Sequence, residues 1–250
     1  LTCDLETNTC VTGSGGDSGG GGGGDNSGCQ QGMDESCYYN GDWTDGPCSE
    51  DYFCDPDSDC TCQPDWPWND PIIIDLAGAG YTLTNLQSGV FFDFFGTGTR
   101  RLTSWTAAGA NVGFLALDRN GNGRIDDGTE LFSNISPQPR RGKSGKGNGF
   151  LALAEFDKPE NGGNGDGWIT NADAIFPKLL VWVDKNHDGI SQPSELFSLT
   201  QAGIQAISLD YRRSRWKDDY GNIFRYRSAI IWCCQAAPQW IYDVLLQVQK

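Results

Sequence analysis

The sequence predicts an α+β protein, with a calcium-loop core of short helices and antiparallel strands preceded by a small disulfide-rich arm. Three observations carry this. Eight of the ten cysteines precede residue 63, Asp/Asn/Gly loops recur between residues 118 and 195, and short apolar runs bounded by turn residues fill the rest of the chain.

Composition divides the chain into residues 1–28, 29–70 and 71–250. In the first stretch Cys3 and Cys10 bracket a short loop, and Gly19–Gly24 form an uninterrupted glycine run. Ordering such a run costs maximal backbone entropy, so it reads as a tether. The second holds Cys29, Cys37, Cys48, Cys54, Cys60 and Cys62 with almost no aliphatic residues. Disulfides are the physical substitute for a core, and they persist in an oxidising compartment. A zinc site would want histidines, and the one histidine is His187. The third stretch is the core domain. Strands are expected at Pro71–Leu76, Gly89–Phe95, Arg101–Trp105, Gly113–Leu117, Ile204–Tyr211, Asn222–Trp232 and Trp240–Val248. Helices are expected at Gly128–Ser133, Gly149–Phe156, Ala172–Leu179 and about Pro193–Ala202.

Net charge is −15, and its placement is informative. Residues 1–70 carry fifteen Asp/Glu and no Lys or Arg, whereas residues 71–250 carry eighteen of each sign. An acidic chain repels phosphate backbones, which argues against nucleic acid as a partner. No apolar run approaches the roughly 18 residues of a membrane span.

Three loops offer the oxygen-rich ligand spacing that Ca²⁺ requires. Asp184, Asn186 and Asp188 occupy positions 1, 3 and 5, with Gly189 at 6, the Ile190 carbonyl at 7 and Glu195 at 12. Ser191 stands at position 8, where an apolar residue is usual. Asp118, Asn120 and Asn122 repeat the spacing, followed by Gly123, the Arg124 carbonyl, Asp126 and a late acid, Glu130. The middle loop supplies Asn164, Asp166, the Trp168 carbonyl and Asp173, and an insertion must bring Asp157 or Asn161 into position 1. His187, at position 4, reads as a surface residue and not a ligand.

Several segments together carry a resemblance. They are Asp70-Pro71-Ile72-Ile73-Ile74-Asp75-Leu76, Gly89-Val90-Phe91-Phe92-Asp93, Trp105, Leu117–Gly123, Thr129-Glu130-Leu131-Phe132, Val181–Asp184 and Gly203-Ile204. Over roughly residues 70–211 the chain resembles a bacterial secreted EF-hand-like calcium-binding domain, similar to the self-processing module of iron-regulated RTX proteins. Two loops that often hold calcium in that family, at Asp75–Gly80 and Asp93–Gly98, keep only their first acid here. The resemblance places a calcium-triggered cleavage at Asp70-Pro71, with Asp70 attacking its own main-chain carbonyl and isopeptide formation as one outcome.

These readings favour a secreted calcium-binding structural protein, extracellular or at a bacterial cell surface, self-associating through its arm into a fibre or surface assembly. The alternatives are calcium-triggered self-processing at Asp70 and Pro71, and polysaccharide binding through Trp66 and Trp68. A single histidine leaves no Ser/His/Asp or Cys/His constellation.

Overall fold

A computed structural model describes residues 69–138, 147–233 and 237–249, with side chains throughout except at Arg215, and the backbone of short strands before residue 65. The glycine tether, the arm's cysteine side chains, Trp66, Trp68, Cys234 and the basic run Arg140, Arg141, Lys143 and Lys146 lie outside the described residues.

Two compact units divide the chain, Leu1–Pro67 and Trp68–Lys250. The described residues of the first form small antiparallel groups. Strand β1 (Thr2–Asp4) pairs with β2 (Thr9–Val11), β3 (Cys29–Gln31) with β4 (Ser36–Tyr39) and β4 with β5 (Asp42–Pro47), and β6 (Tyr52–Asp55) with β7 (Thr61–Pro64). The register sets Cys3 opposite Cys10 and Cys54 opposite Cys62.

The second unit is built on β8 (Ile72–Asp75), a run of β-branched residues buried on both faces. Ile72 and Ile74 enter one apolar cluster and Ile73 the other, as the period of two demands. The same division holds for β11 (Val112–Leu117), where Leu115 faces away from Phe114 and Ala116, and for β13 (Leu179–Trp182), where Val181 faces away from Trp182. Strands β12 (Trp168–Ile169), β14 (Leu196–Ser198), β15 (Ile204–Ser208), β16 (Arg212–Lys217), β17 (Ile223–Trp232) and β18 (Gln239–Leu245) complete a nine-stranded sheet. Its order is β12-β15-β17-β18-β8-β11-β13-β14, with β16 also on β17, and every pairing is antiparallel. A hairpin of β9 (Val90–Phe92) and β10 (Arg101–Thr103) adds Phe92 to an aromatic cluster with Phe94, Trp105, Phe114 and Trp182.

The α+β expectation is therefore corrected: the domain is almost wholly antiparallel sheet. Among the described residues one α-helix is present, α1 (Gly149–Ala154), capped by Asn148, whose side chain accepts from the Leu151 N–H. Three other expected helices shrink to single 3-10 turns at Gly128–Glu130, Phe176–Lys178 and Pro193–Glu195. The reason is the sheet. Each turn gives way to chain that pairs with a strand: Leu131 bridges Ala116, Leu179–Trp182 lies along β11, and Leu196–Ser198 lies along β13. Ladder bonds and burial outweigh the weak helical propensity of these short stretches. Among the described residues no helix is long and apolar enough to cross a membrane.

Gly113 marks the tightest packing in the sheet's centre. A Cβ there would lie 2.7 Å from the Trp182 carbonyl oxygen and 2.7 Å from Val181 Cγ1. Gly113→Ala is expected to cost about 2 kcal/mol through overpacking, read as a lower urea midpoint with an unchanged slope.

Candidate functional site

The three metal-type loops share one frame. Each begins with an aspartate that accepts the N–H of a positive-φ glycine at position 6. Gly123 donates to Asp118 Oδ2 at 2.7 Å and Gly189 to Asp184 Oδ2 at 2.8 Å, each five residues on. In the middle loop Gly167 donates to Asp157 Oδ2 at 2.9 Å from ten residues on. Asp157 thus stands where Asp118 and Asp184 stand, with five extra residues between. Asn161 sits in that insertion, in the turn Pro159–Asn161, and its side chain donates to the Glu155 carbonyl at 2.6 Å. The loops also end alike. Glu130 accepts the Arg119 N–H at 3.0 Å, Glu195 the Lys185 N–H at 3.1 Å and Asp173 the Asn164 N–H at 3.2 Å.

The strand-to-turn setting differs from a helix–loop–helix. Asp118 follows β11 directly and Glu130 closes a 3-10 turn, and Asp184 and Glu195 repeat that plan. The intermediate positions also bond within the loops. Asn122 Oδ1 accepts from Arg124 N–H at 2.9 Å, Asp126 Oδ2 accepts from Asn120 at 3.2 Å, Asp166 Oδ1 accepts from Trp168 N–H at 2.9 Å, and Asp188 Oδ1 accepts from Ile190 N–H at 2.8 Å. Asn186 and Asn164 donate to Asp188 and Asp166 respectively.

The donor set suits a hard cation. Its atoms are all oxygens, and Glu130, Asp157, Asp173, Asp184 and Glu195 are buried with no ion pair among the described residues. Their oxygens are instead engaged by loop amides and, at Asp184 Oδ2, by the Trp105 indole N–H at 2.8 Å, and among the described residues no three His, Cys, Asp or Glu side chains gather at one point. Asp75 and Asp93 use the same device, accepting from Gly80 and Gly98 five residues on, but no late acid closes those turns.

Two residues tie the loops to the rest of the domain. Strands β11 and β13 are antiparallel, so their loops leave from opposite ends, yet they meet at Ser191. The Ser191 hydroxyl accepts the Ile125 N–H at 2.7 Å and donates to the Ile125 carbonyl at 3.1 Å, fully shielded from solvent. The irregular serine at position 8 is thus a coupling between loops. His187, expected at the surface, is half-buried, and its ring nitrogens contact the Thr106 and Ser88 carbonyls at 2.8 and 2.7 Å.

The Asp70-Pro71 junction is buried at the sheet's centre. Asp70 is 0% exposed; its Oδ1 accepts the Asn134 N–H at 2.6 Å and its Oδ2 pairs with Arg225 Nη1 at 2.9 Å. The Pro71 carbonyl accepts from Val244 N–H at 3.1 Å, and the Ile72 N–H donates to the Phe132 carbonyl at 2.9 Å. Beside Asp70 lies Asp243, also 0% exposed, whose Oδ2 accepts the Gly149 N–H at 2.7 Å. Burial, and then the Asp70 charge, hold the Asp243 carboxyl well above the usual carboxylate range, against the pull of Arg225 and the Gly149 amide. Burial raises Asp70 as well, opposed first by Arg225, then by the Asn134 amide and Asp243. Sequence reasoning singled out neither Arg225 nor Asp243. A lone acid inside the apolar run Trp240–Val248 was the available signal.

Ser191→Ala leaves a buried N–H and C=O of Ile125 unpartnered, and is expected to lower stability by about 1–3 kcal/mol, measured by urea denaturation.

Two comparisons bear on this site. The iron-regulated protein FrpA of Neisseria meningitidis serogroup C is 42% identical over 145 residues, which is 57% of this chain and 12% of that protein. The chain therefore spans only a small part of that relative's length. A family model of the SPM domain matches residues 72–247, from the first residue of β8 to just beyond β18. By that match, the chain belongs to the SPM domain family.

Proposed function

We propose that residues 70–250 form a calcium-triggered self-processing module that cleaves its own Asp70-Pro71 bond. The observation that carries this reading is the setting of Asp70: a fully buried carboxylate, held by Arg225 and the Asn134 amide, immediately before a buried proline. An Asp-Pro bond is chemically suited to such a step. A carboxylate oxygen of Asp70 attacks the Asp70 main-chain carbonyl carbon, closing a five-membered cyclic anhydride. The C–N bond to Pro71 breaks, and the proline nitrogen leaves with the electron pair once it gains a proton. Water opens the anhydride to an α-carboxylate and a regenerated side chain, or a lysine amine opens it to an amide. Exclusion of bulk water favours the intramolecular attack by fixing one geometry.

Calcium would supply positive charge to the buried loop carboxylates. Residues Asp118, Asn120, Asn122, Asp126 and Glu130 with the Arg124 carbonyl, Asp157, Asn164, Asp166 and Asp173 with the Trp168 carbonyl, and Asp184, Asn186, Asp188 and Glu195 with the Ile190 carbonyl would hold it. One route links the loops to the junction. Glu130 closes the first loop, Phe132 two residues later accepts from Ile72, and Asn134 then donates to Asp70. Ordering that loop therefore sets the hydrogen bond on the nucleophile.

A second reading is favoured by the charge split, with fifteen acids and no Lys or Arg in residues 1–70. In it the domain is a secreted calcium-binding subunit of an extracellular assembly, its acidic arm docking on a neighbouring copy. Such a heterologous contact builds open filaments when it does not close.

Addition of calcium to the full chain is expected to yield two fragments meeting at Asp70-Pro71, read by intact-mass spectrometry; an unchanged mass at saturating calcium overturns the self-processing reading. Glu130→Gln is expected to raise the calcium needed for half-maximal cleavage by roughly tenfold, since ligand charge sets site affinity. For the assembly reading, light scattering of concentrated protein in calcium is expected to show growth beyond the monomer, and a persistent monomer removes it.

A further inference from the structure

The proposed cleavage leaves one chemical demand unmet: the departing Pro71 nitrogen needs a proton, at a bond buried away from water. Arg225 cannot supply one at ordinary pH. The side chains around the junction offer a different source. Asp243 lies midway along β18, paired in register with Ile72 of β8 and Tyr226 of β17. The next residue, Val244, holds the Pro71 carbonyl. Strand pairing thus fixes Asp243 next to the residue that holds the Pro71 carbonyl, with its carboxyl against that of Asp70.

Charge balance then decides its state. Two fully buried carboxyls, Asp70 and Asp243, share the Arg225 guanidinium, and among the described residues these are the charged groups that act on one another here. Arg225 compensates one negative charge, and its direct ion pair is with Asp70. A second bare carboxylate in this site would be uncompensated, which costs several kcal/mol. The hydrogen-bond inventory points the same way. Asp243 Oδ2 is satisfied by the Gly149 amide, whereas Oδ1 is buried with no donor facing it. Its neighbour, the Asp70 carboxylate, only accepts. A proton on Asp243 Oδ1 satisfies both groups at once, and burial together with the Asp70 charge raises the Asp243 carboxyl well above the ordinary carboxylate range.

We propose that Asp243 is the general acid of the Asp70-Pro71 cleavage, storing the single proton of the buried pair and passing it to the Pro71 nitrogen as the C–N bond breaks. The inference rests on the self-processing reading. Asp70 stays ionised as the nucleophile, paired with Arg225, while Asp243 stays neutral until it gives up its proton. Attack consumes the Asp70 charge in the anhydride as Asp243 acquires one, so the site holds one negative charge beside Arg225 throughout. Hydrolysis of the anhydride releases protons that restore Asp243.

The test compares the full chain with Asp243→Asn, which keeps shape and a donor but has no acidic proton. Loss of general acid catalysis is expected to slow calcium-triggered cleavage by roughly 100-fold or more. Calcium-dependent tryptophan fluorescence should stay as in the parent chain. The parent rate should fall at high pH as Asp243 ionises, and that limb should be missing from the residual rate of Asp243→Asn. Asp243→Glu should recover part of the rate. Folding linkage gives an independent sign. A carboxyl raised above its ordinary 3.8 in the folded state stabilises at low pH, and that advantage is lost as pH rises toward the folded value. The parent chain should therefore lose stability relative to Asp243→Asn over that climb. If Asp243→Asn does not fold, carboxyl ¹³C titration of the calcium-free parent decides: Asp243 protonated at pH 7 supports the proposal, and Asp243 ionised there overturns it. A folded Asp243→Asn that cleaves within threefold of the parent, with the same pH profile, overturns this proposal alone. A parent chain that never cleaves in calcium removes the self-processing reading and this one with it.

Discussion

One guanidinium between two fully buried carboxyls is the constraint on which the domain's centre depends. Asp70 precedes β8, Arg225 lies on β17 and Asp243 on β18, so the cluster joins adjacent strands in the middle of the nine-stranded sheet. It also reaches two elements outside the sheet, the start of α1 through Gly149 and the turn at Asn134. Well-packed apolar residues would serve stability at least as well as buried charges in such a place. A need to hold the sheet together therefore does not account for the cluster, and it stands where the proposed chemistry at Asp70-Pro71 would use it.

The loops around this centre repeat a single local solution. An aspartate at the end of an extended segment, or for Asp157 in the turn after α1, turns the chain by accepting amides, the last from a left-handed glycine. Asp75, Asp93, Asp118, Asp157 and Asp184 all do this. Carboxylate-to-amide bonds are charge-assisted, so each such aspartate organises its turn strongly. What separates the last three from the first two is the late acid, Glu130, Asp173 or Glu195. That second charge, brought back to the loop's beginning, is what a cation would compensate.

Much of this could be read from the sequence, for physical reasons that differ by element. Strands β8 and β11 announced themselves because a short apolar run that is buried on both faces has few other uses, whereas β17 is legible by its alternation, one face buried and the other half-buried. The segments after each loop were misread as helical. Pro193-Ser194-Glu195 does start a turn, but whether it continues depends on β13 waiting beside Leu196–Ser198, which local sequence does not reveal. Arg212–Lys217 carries no apolar run because an edge strand can be polar; Trp216, stacked on Phe224 at 3.6 Å, is its one apolar anchor. The loop spacings were legible at Asp118 and Asp184. At the middle loop spacing left Asp157 and Asn161 equal, and the tertiary turn at Pro159–Asn161 separates them. Asp243 was illegible as a partner of Asp70 because the two stand 173 positions apart, and only strand pairing brings them together.

The same topology argues how a cation signal reaches a buried bond. Loop 118–130 and the junction are not joined by a flexible linker. Glu130 is followed at once by Leu131, bridged to Ala116, then by Phe132, which accepts from Ile72 and donates to the Leu115 carbonyl. Those bonds make residues 131–134 a short rigid arm laid between β11 and β8, ending in the amide that holds Asp70. Ser191 fastens the loop after β13 to the same loop through Ile125. Under the proposed trigger, a cation at either loop would act on one hydrogen-bonded unit. Binding at the loop that Glu130 closes would favour the arrangement in which the Asn134 amide holds Asp70, and such a difference in binding between two arrangements is what a ligand needs in order to shift their populations.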